Sequence, residues 1–356
     1  MSKNWMRHFE LQIVDGSGDG VQLSDFKVVF NIEWADTRWP RVANVKIYNL
    51  SPDTNNKILR EEFTRIRMIA GYDGIAPDVN ANEVGLARSV NADSVGHMDD
   101  RNYGLIFDGD IRFSITGQDN ITDKWIQVQA IDGWDALLRA NLSMTIMRGW
   151  TMRSLFDEVM KEFNKYGITE GTVCDMPPTV YPRGISLFSP ASDVMDQIAR
   201  SCNATWQIVE GRVNVISKND YIHEAIVLNA DTGLIGMPQQ TMGGGVNVRC
   251  LINPNIRING LVQIDQASVY RAALADSDVA RSGGRINEVN QDGNLTLSGT
   301  LQNPASIAAD GVYVVKAIDY HGDTRGQAWY MDLMCFARGD RTLLSKATLD
   351  KAHMEK

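Results

Sequence analysis

Apolar residues recur along this chain with two different periods, and the period changes twice. In the first third, β-branched and aromatic runs alternate with polar residues at period two. "KVVFNIEW" (27–34), "RVANVKIYNL" (41–50), "RIRMIAGY" (65–72), "GLIFDGDIRFSI" (104–115) and "KWIQVQAIDGW" (124–134) read as half-buried strands. Asp73-Gly74, Asp108-Gly109 and Asp132-Gly133 read as breaks between runs. One short helix is expected after residue 50, with Ser51 as cap and Pro52 at its first position. Residues 75–102 are polar, Gly/Asn/Asp-rich and aperiodic, which predicts a long exposed loop.

The period then lengthens. Leu155, Phe156, Val159, Met160 and Phe163 follow the good N-cap Thr151 at helical spacing and stop before Gly167. A second helix is predicted from Ser189-Pro190, with Val194, Met195, Ile198 and Ala199 on one face. "TWQIV" and "RVNVIS" flank Glu210-Gly211, a tight hairpin signal. The last third returns to strands: "EAIVLN", "VNVRCLI", "GLVQID", "LTLSGTL", "GVYVVKAIDY" and "AWYMDLMCFA", interrupted by a polar stretch at 271–294. The fold class expected is therefore mainly β with an α+β insert. No tandem repeat of fixed period is present.

Composition narrows the function classes. The 356 residues carry 44 acidic and 35 basic side chains, a formal charge of −9. That balance argues against a protein that grips nucleic acid or docks on anionic lipid. The N-terminus has no apolar core of signal-peptide length, and no run of about twenty apolar residues could span a bilayer. Cys174, Cys202, Cys250 and Cys335 form no CxxC or Cys/His pair, so they read as free thiols made in a reducing compartment.

Each candidate chemical motif has a plainer reading. Gly243, Gly244 and Gly245 invite comparison with a phosphate loop, but a strand-like "VNVRCLI" follows, with no Lys-Ser/Thr and no helix. They read as punctuation at the entry to a strand. Asp15, Ser17, Asp19 and Gly20 imitate the start of a calcium loop, yet its twelfth position is Phe26, so a hairpin turn is expected. His8, His97, His223, His321 and His353 are isolated, and no nucleophile elbow occurs. Asp99-Asp100 and Asp108 with Asp110 are paired carboxylates of a kind common in loops, and general acid work would further need one carboxyl with a raised pKa in a cleft. Trp34, Trp125, Trp134, Trp206 and Trp329 read as core anchors, since no basic residues interleave with them in a stripe; Trp34 and Trp39 flank a corner at Pro40. No catalytic, cofactor-binding or metal-ligating residue is assigned, and no cofactor is expected.

Several longer strings carry a resemblance. "RVANVKIYNLSPDT" (41–54), "MIAGY" (68–72) and "IFDGDI" (106–111) look like the amino-terminal part of bacteriophage baseplate hub proteins. "DTGLIGMPQQTMGGGVNVRCLINPNIRINGLVQID" (231–265) and "YHGDTRGQAWYMDLMC" (320–335) resemble them more closely. The resemblance implies a non-enzymatic virion protein of a contractile-tailed phage, with two tail-tube-like β-barrel domains joined by a smaller α+β module. It implies a first barrel domain over 1–141 including the loop 75–102, the module over 142–219, a second barrel over 220–345 and a tail over 346–356. It further implies a homotrimer that adapts a sixfold tail tube to a threefold spike and lines part of the DNA channel. The partners implied are the tail tube or tube-initiator protein, the central spike protein and baseplate wedge proteins, with DNA only in passage and no membrane binding by this chain alone. The place implied is the tail baseplate of the virion, assembled in the host cytoplasm. Two alternatives stand beside it: a tail-associated cell-wall hydrolase, or a hub carrying such an activity, and a generic β-rich binding protein.

Overall fold

The computed structural model describes residues 6–73 and 102–218 apart from 17, 24 and 61; residues 226–264 apart from 231 and 242–244; Val269; residues 311–337; and two short strands between these last segments. Of the expected loop 75–102 only Asn102 lies among the described residues, and the tail 346–356 and nearly all of 271–294 lie outside them.

The first third forms β1 (Arg7–Asp15), β2 (Gly20–Leu23), β3 (Val28–Ala35), β4 (Val42–Tyr48), β5 (Phe63–Tyr72), β6 (Asn102–Gln118) and β7 (Lys124–Ile131), with α1 (Pro52–Leu59) between β4 and β5. The period-two pattern is the burial pattern: in β4, Ala43, Val45 and Ile47 face the core while Asn44, Lys46 and Tyr48 face outward. Ser51 caps α1 through Thr54, with Pro52 as its first residue. The middle adds α2 (Trp134–Arg139), β8 (Asn141–Ile146), α3 (Met152–Asn164), β9 (Thr169–Val173), β10 (Ile185–Pro190), α4 (Ala191–Ser201), β11 (Ala204–Val209) and β12 (Arg212–Ser217). The last third adds β13 (Ile226–Leu228), β14 (Leu234–Gln240), β15 (Val246–Leu251), β16 (Leu261–Ile264), the two-residue β17 (Glu288–Val289) and β18 (Leu295–Thr296), β19 (Val312–Asp323) and β20 (Trp329–Ala337).

The two strand-rich thirds share one sheet. Its order is β14-β15-β20-β19-β3-β4-β7-β6-β5-β1-β2, with β16 and β13 branching from β19. The long β19 is the common strand: Val312–Val314 pair with β16, Ala317–Asp323 pair with β3, and β20 runs along its other side. The sheet also curls. Four strands separate β1 from β3 in that order, so a flat sheet would hold them roughly 24 Å apart at about 4.8 Å per strand. Yet Phe9 on β1 stacks on Phe30 of β3 with ring centroids 5.3 Å apart. Such a contact requires the first-third strands to wrap back on themselves, as barrel strands do. Trp329 of β20 packs edge-on against both rings, at 6.1 and 5.7 Å.

One predicted break is absent. Asp108-Gly109 lies inside β6, which runs unbroken for 17 residues. The carboxylate of Asp108 is neutralised by two arginines on β5, so the strand does not need to turn out to water there. A Cβ at Gly109 would crowd the Phe107 ring and the backbone at Ile131 and Asp132, so the glycine serves a close approach of β7.

The α+β module has its own core, built from α2, α3, α4 and the sheet β11-β12-β9, with Phe156, Val159, Phe163, Val194, Met195, Ile198, Val213 and Val215 fully buried. Thr151 opens α3 with a reciprocal capping box with Ser154, a device that stabilises a helix start by about 1 kcal/mol. α4 starts one residue later than read, at Ala191, with Pro190 as its cap and no side-chain capping bond.

Candidate functional site: a buried ionic junction and open sheet edges

Charged side chains converge where the module meets both strand-rich thirds. Arg41, just ahead of β4, is enclosed; it donates to Asp132 Oδ2 from Nη2 at 2.6 Å and from Nε at 3.1 Å, and to the Ile106 carbonyl at 3.1 Å. The Trp34 and Phe107 rings lie 4.9 and 5.5 Å from its guanidinium carbon. Asp132 Oδ2 also accepts the Glu210 amide at 2.8 Å, which ties the first third to the hairpin turn of the module. The Glu210 carboxylate takes Arg257 at 2.6 Å, from the loop before β16 in the last third. A second layer lies on β5 and β6: Arg65 grips both oxygens of Asp108 at 2.6 and 2.9 Å, and Arg67 adds a bond at 3.0 Å.

Four guanidinium groups thus meet Asp108, Asp132, Glu210 and the nearby Asp110, so charge is balanced within the junction. Burial pushes the Asp132 carboxyl up to about 6, against the pull of Arg41, which leaves it ionised at neutral pH. Burial also raises Asp110, opposed by a hydrogen bond from the Asp135 amide at 3.2 Å. Asp108 and Asp110 are therefore not an acid–base pair facing a cleft. Asp108 is spent on two arginines, and a general acid needs a proton it can release to a substrate. What the junction can do is lock three segments of chain together, since an unpaired charge at Arg41, Asp132 or Asp108 would remain buried.

No reading of the residues singled out this junction. Asp132 and Glu210 were visible only as turn residues in Asp132-Gly133 and Glu210-Gly211, and Asp108 with Asp110 only as a carboxylate pair. A usable signal existed in the arginines: Arg65 and Arg67 stand inside a strand run, and a charge in such a run needs a partner.

The other singled-out residues fall as follows. Asp15 and Gly20 bound the β1–β2 hairpin, with the Asp15 side chain accepting the Asp19 amide at 3.0 Å; Ser17 lies outside the described residues. Gly245, with φ of 88°, closes the β14–β15 hairpin, and its carbonyl accepts the Thr241 amide at 2.9 Å; Gly243 and Gly244 lie outside the described residues. Asp99-Asp100, His97, His223 and His353 also lie outside them. His8 bridges Asp73 at 2.7 Å and Glu10 at 2.9 Å and stacks on Tyr103, a surface clasp with no nucleophile. His321 lies 3.8 Å from Asp332. Trp34, Trp206 and Trp329 are buried; Trp125 and Trp134 are half-buried beneath Lys46 and Arg112; Trp39 is exposed. Among the described residues no cluster of His, Cys, Asp and Glu could hold a metal, and no helix is long and apolar enough to cross a membrane.

Two cavities border these elements. One, of about 100 Å³, lies beside the junction between Trp34, Trp206, Gln207 and Arg257; the other, of about 360 Å³, is shallow and lies between α1 and the β6–β7 hairpin. The first is well below the several hundred Å³ of a cofactor pocket.

The outer features are strand edges. Among the described residues β14 and β2 end the sheet order, and β6 has no ladder partner opposite β7 beyond Asp110. Ile235 and Met237 are exposed on β14, and Phe113, Ile115 and Ile121 on the β6–β7 hairpin. Open edges carrying apolar side chains are sites for pairing with another chain.

No protein-family model matches the sequence, and no curated protein matches it. Solved structures do. A component of the type VI secretion system of E. coli, described as structurally similar to the T4 bacteriophage tail proteins gp27 and gp5, superposes with a TM-score of 0.52 at 7% identity over 93% of this chain and 77% of that one. The tail protein from Neisseria meningitidis MC58 gives a TM-score of 0.50 at 7% identity over 96% and 99% of the two chains. At these identities the likeness is one of fold. The chain shares its fold, mainly β with an α+β insert, with these tail and tail-like proteins, as the resemblance in its sequence implied.

Proposed function

We propose that this chain is a structural protein of a phage tail, a baseplate hub that assembles as a homotrimer. The observation that carries the reading is a curled first strand-rich part joined through β19 to a second strand-rich part, with a separate α+β module locked to both by the Arg41–Asp132–Glu210–Arg257 junction. Two tube-like domains per chain, which the resemblance in the sequence implies, give six in a trimer, which matches a sixfold tube on one side and a threefold spike on the other. The exposed edges of β14 and β6 suit head-to-tail contacts, which close without a free end when three subunits form a ring. The domain bounds 1–141, 142–219 and 220–345 belong to this reading, with residues 346–356 as a tail. So do its partners: the tail tube or its initiator, the central spike and the baseplate wedges, with DNA as transient traffic. Its place is the virion tail, after assembly in the host cytoplasm.

The test is the mass and symmetry of the assembled particle. Three copies in one ring, between tube and spike, are expected; six identical copies in one ring would overturn the proposal. A monomer in dilute solution is compatible with it, because ring closure depends on concentration and on the neighbouring tube or spike. The hydrolase alternative is tested separately on bacterial cell walls in a zymogram, where this chain should leave no cleared band.

A further inference from the structure

The α+β module has a surface that neither the ionic junction nor the open strand edges use. β8 and β10 form a two-stranded ribbon of their own, with Ile185 paired to Ile146 and Pro190 to Asn141. Side chains alternate between its two faces. Leu142 and Leu187 turn into the module core, with Met144, Ile146 and Ile185 packed beside them. The other face meets solvent. There Phe188, opposite Ser143, is 90% exposed, and Met147, beside Gly184 just past the strand end, is 82% exposed. The positions between these two carry small residues, Ser143, Thr145, Ser186 and Gly184, with the Thr145 and Ser186 hydroxyls 3.0 Å apart.

The Met147 end of the ribbon also carries charge. Arg148 and Arg183 are exposed, and among the described residues neither has an ion-pair or side-chain hydrogen-bond partner. The backbone that bears them is pinned. The Gly149 amide donates to the Tyr181 carbonyl at 2.8 Å, and the Trp150 indole N–H donates to the Arg183 carbonyl at 2.9 Å. The Trp150 and Tyr181 rings stack with centroids 4.0 Å apart. Two guanidinium groups without counter-charge thus stand on a fixed piece of chain, next to an apolar side chain that nothing covers.

We propose that the exposed face of the β8–β10 ribbon is a docking site for an α-helix of a partner protein, one with an apolar stripe and acidic flanks. Width selects the helix. Phe188 and Met147 stand four residues apart along the ribbon, roughly 13 Å at about 3.3 Å per residue. A helix with its side chains is about 10–12 Å across, so it lies over the small residues with Phe188 on one flank and Met147 on the other. A strand added to an edge of the ribbon would leave both side chains in water. Charge selects the flanks, because two unpaired arginines favour carboxylates and repel lysines. The same face of a second copy is a poor fit, since a self-complementary contact would gather four guanidinium groups. The proposal does not rest on the hub reading.

The probes are two dye-labelled amphipathic helical peptides of about 18 residues, identical in their leucine stripe, one flanked by glutamates and the other by lysines. Fluorescence anisotropy with the full chain should show saturable binding of the glutamate peptide that weakens as salt is added, with the lysine peptide weaker by about 10-fold or more. Phe188→Ser should weaken the glutamate peptide by about 10-fold or more, and Met147→Ser should act in the same direction. Both variants should keep the wild-type thermal midpoint, since both side chains are exposed. R148E combined with R183E should reverse the order of the two peptides. The proposal is overturned if neither peptide binds, if both bind equally well, if the order survives the charge reversal, or if the serine variants bind as wild type does. It is also overturned if light scattering shows a wild-type self-association that Phe188→Ser abolishes. That result would give the face to a second copy and leave the homotrimer reading standing, whereas a particle without the trimer would touch only that reading.

Discussion

Arg41 and Asp132 touch each other through two hydrogen bonds, yet their loss should not be symmetrical. Breaking a buried ion pair typically costs about 3–5 kcal/mol, because the remaining charge is stranded. A stranded carboxylate can escape by taking a proton; a guanidinium cannot. Asp132 is already raised to about 6 by burial, and Arg41→Met removes the main charge that holds it down. A carboxyl raised in the folded state costs stability as pH rises through the window between its unfolded value and its folded one. Arg41→Met should therefore be weakest at pH 8 and recover on moving to pH 5, measured as the urea midpoint. Asp132→Asn should show no such recovery, and a matching recovery there would mean that another group titrates. His8 gives the same trend with pH from the opposite cause, a charge that is stabilised where that of Asp132 is penalised. Burial alone would lower it, but Asp73 and Glu10 outweigh burial and raise the imidazolium to about 9 from 6.5. Its contribution is fully present below pH 6.5 and fades as pH rises through 9; the size is at most about 3 kcal/mol. The stability difference between wild type and His8→Gln should shrink over that range. A difference that stays constant from pH 6 to 9.5 would show that the clasp is not charged.

At the scale of elements, β3, β4, β7, β11, β12, β15, β20, α3 and α4 were legible because burial follows period two or 3.6 in them. By contrast β1, β8, β9, β10, β14 and α2 were not read, and in β8, β9, β14 and α2 few side chains are buried. Thr151, Ser51 with Pro52, and Glu210-Gly211 were legible for a different reason: each supplies a capping oxygen or a positive φ that the backbone there demands. Asp108-Gly109 misled because the same two residues that make turns also occur in strands where a carboxylate finds arginines and a neighbouring strand comes too close for a side chain. The ionic junction was not legible at all. Arg41, Glu210 and Arg257 are far apart in the chain, and only the packing of the module against both halves brings them together. The glycines at 243–245 were legible as punctuation, and Gly245 shows why. Its φ is one that L side chains rarely adopt, and a Cβ there would overlap the Cys335 carbonyl oxygen on β20. Gly245→Ala should thus cost about 2 kcal/mol or more, from strain and from the displaced β15–β20 ladder. Gly236 also has a positive φ, of 71°, but a Cβ there meets nothing within 4 Å, so Gly236→Ala should cost about 1 kcal/mol. Equal unfolding midpoints for the two variants would contradict the close approach of β15 to β20.

On the scale of the whole molecule, the question is what an acidic chain does around DNA. Duplex DNA carries about one negative charge per 1.7 Å of its axis, and a few lysines per subunit facing a channel would hold it through counterion release. A conduit needs the reverse. With 44 acidic residues against 35 basic ones, the chain has charge enough of the acidic sign for an inner wall that is neutral or acidic. Repulsion from a neutral or acidic wall decays over about 8 Å at physiological salt, so it eases passage without barring it. The expected outcome is no appreciable affinity for double-stranded DNA, with any residue of binding indifferent to sequence. Fluorescence anisotropy with a short duplex at low salt is the harshest setting, because weak electrostatic binding is strongest there. Sub-micromolar binding that weakens steeply as salt is added would overturn the conduit reading. It would point to a basic surface, hidden within the net charge, that grips DNA and does not let it slide.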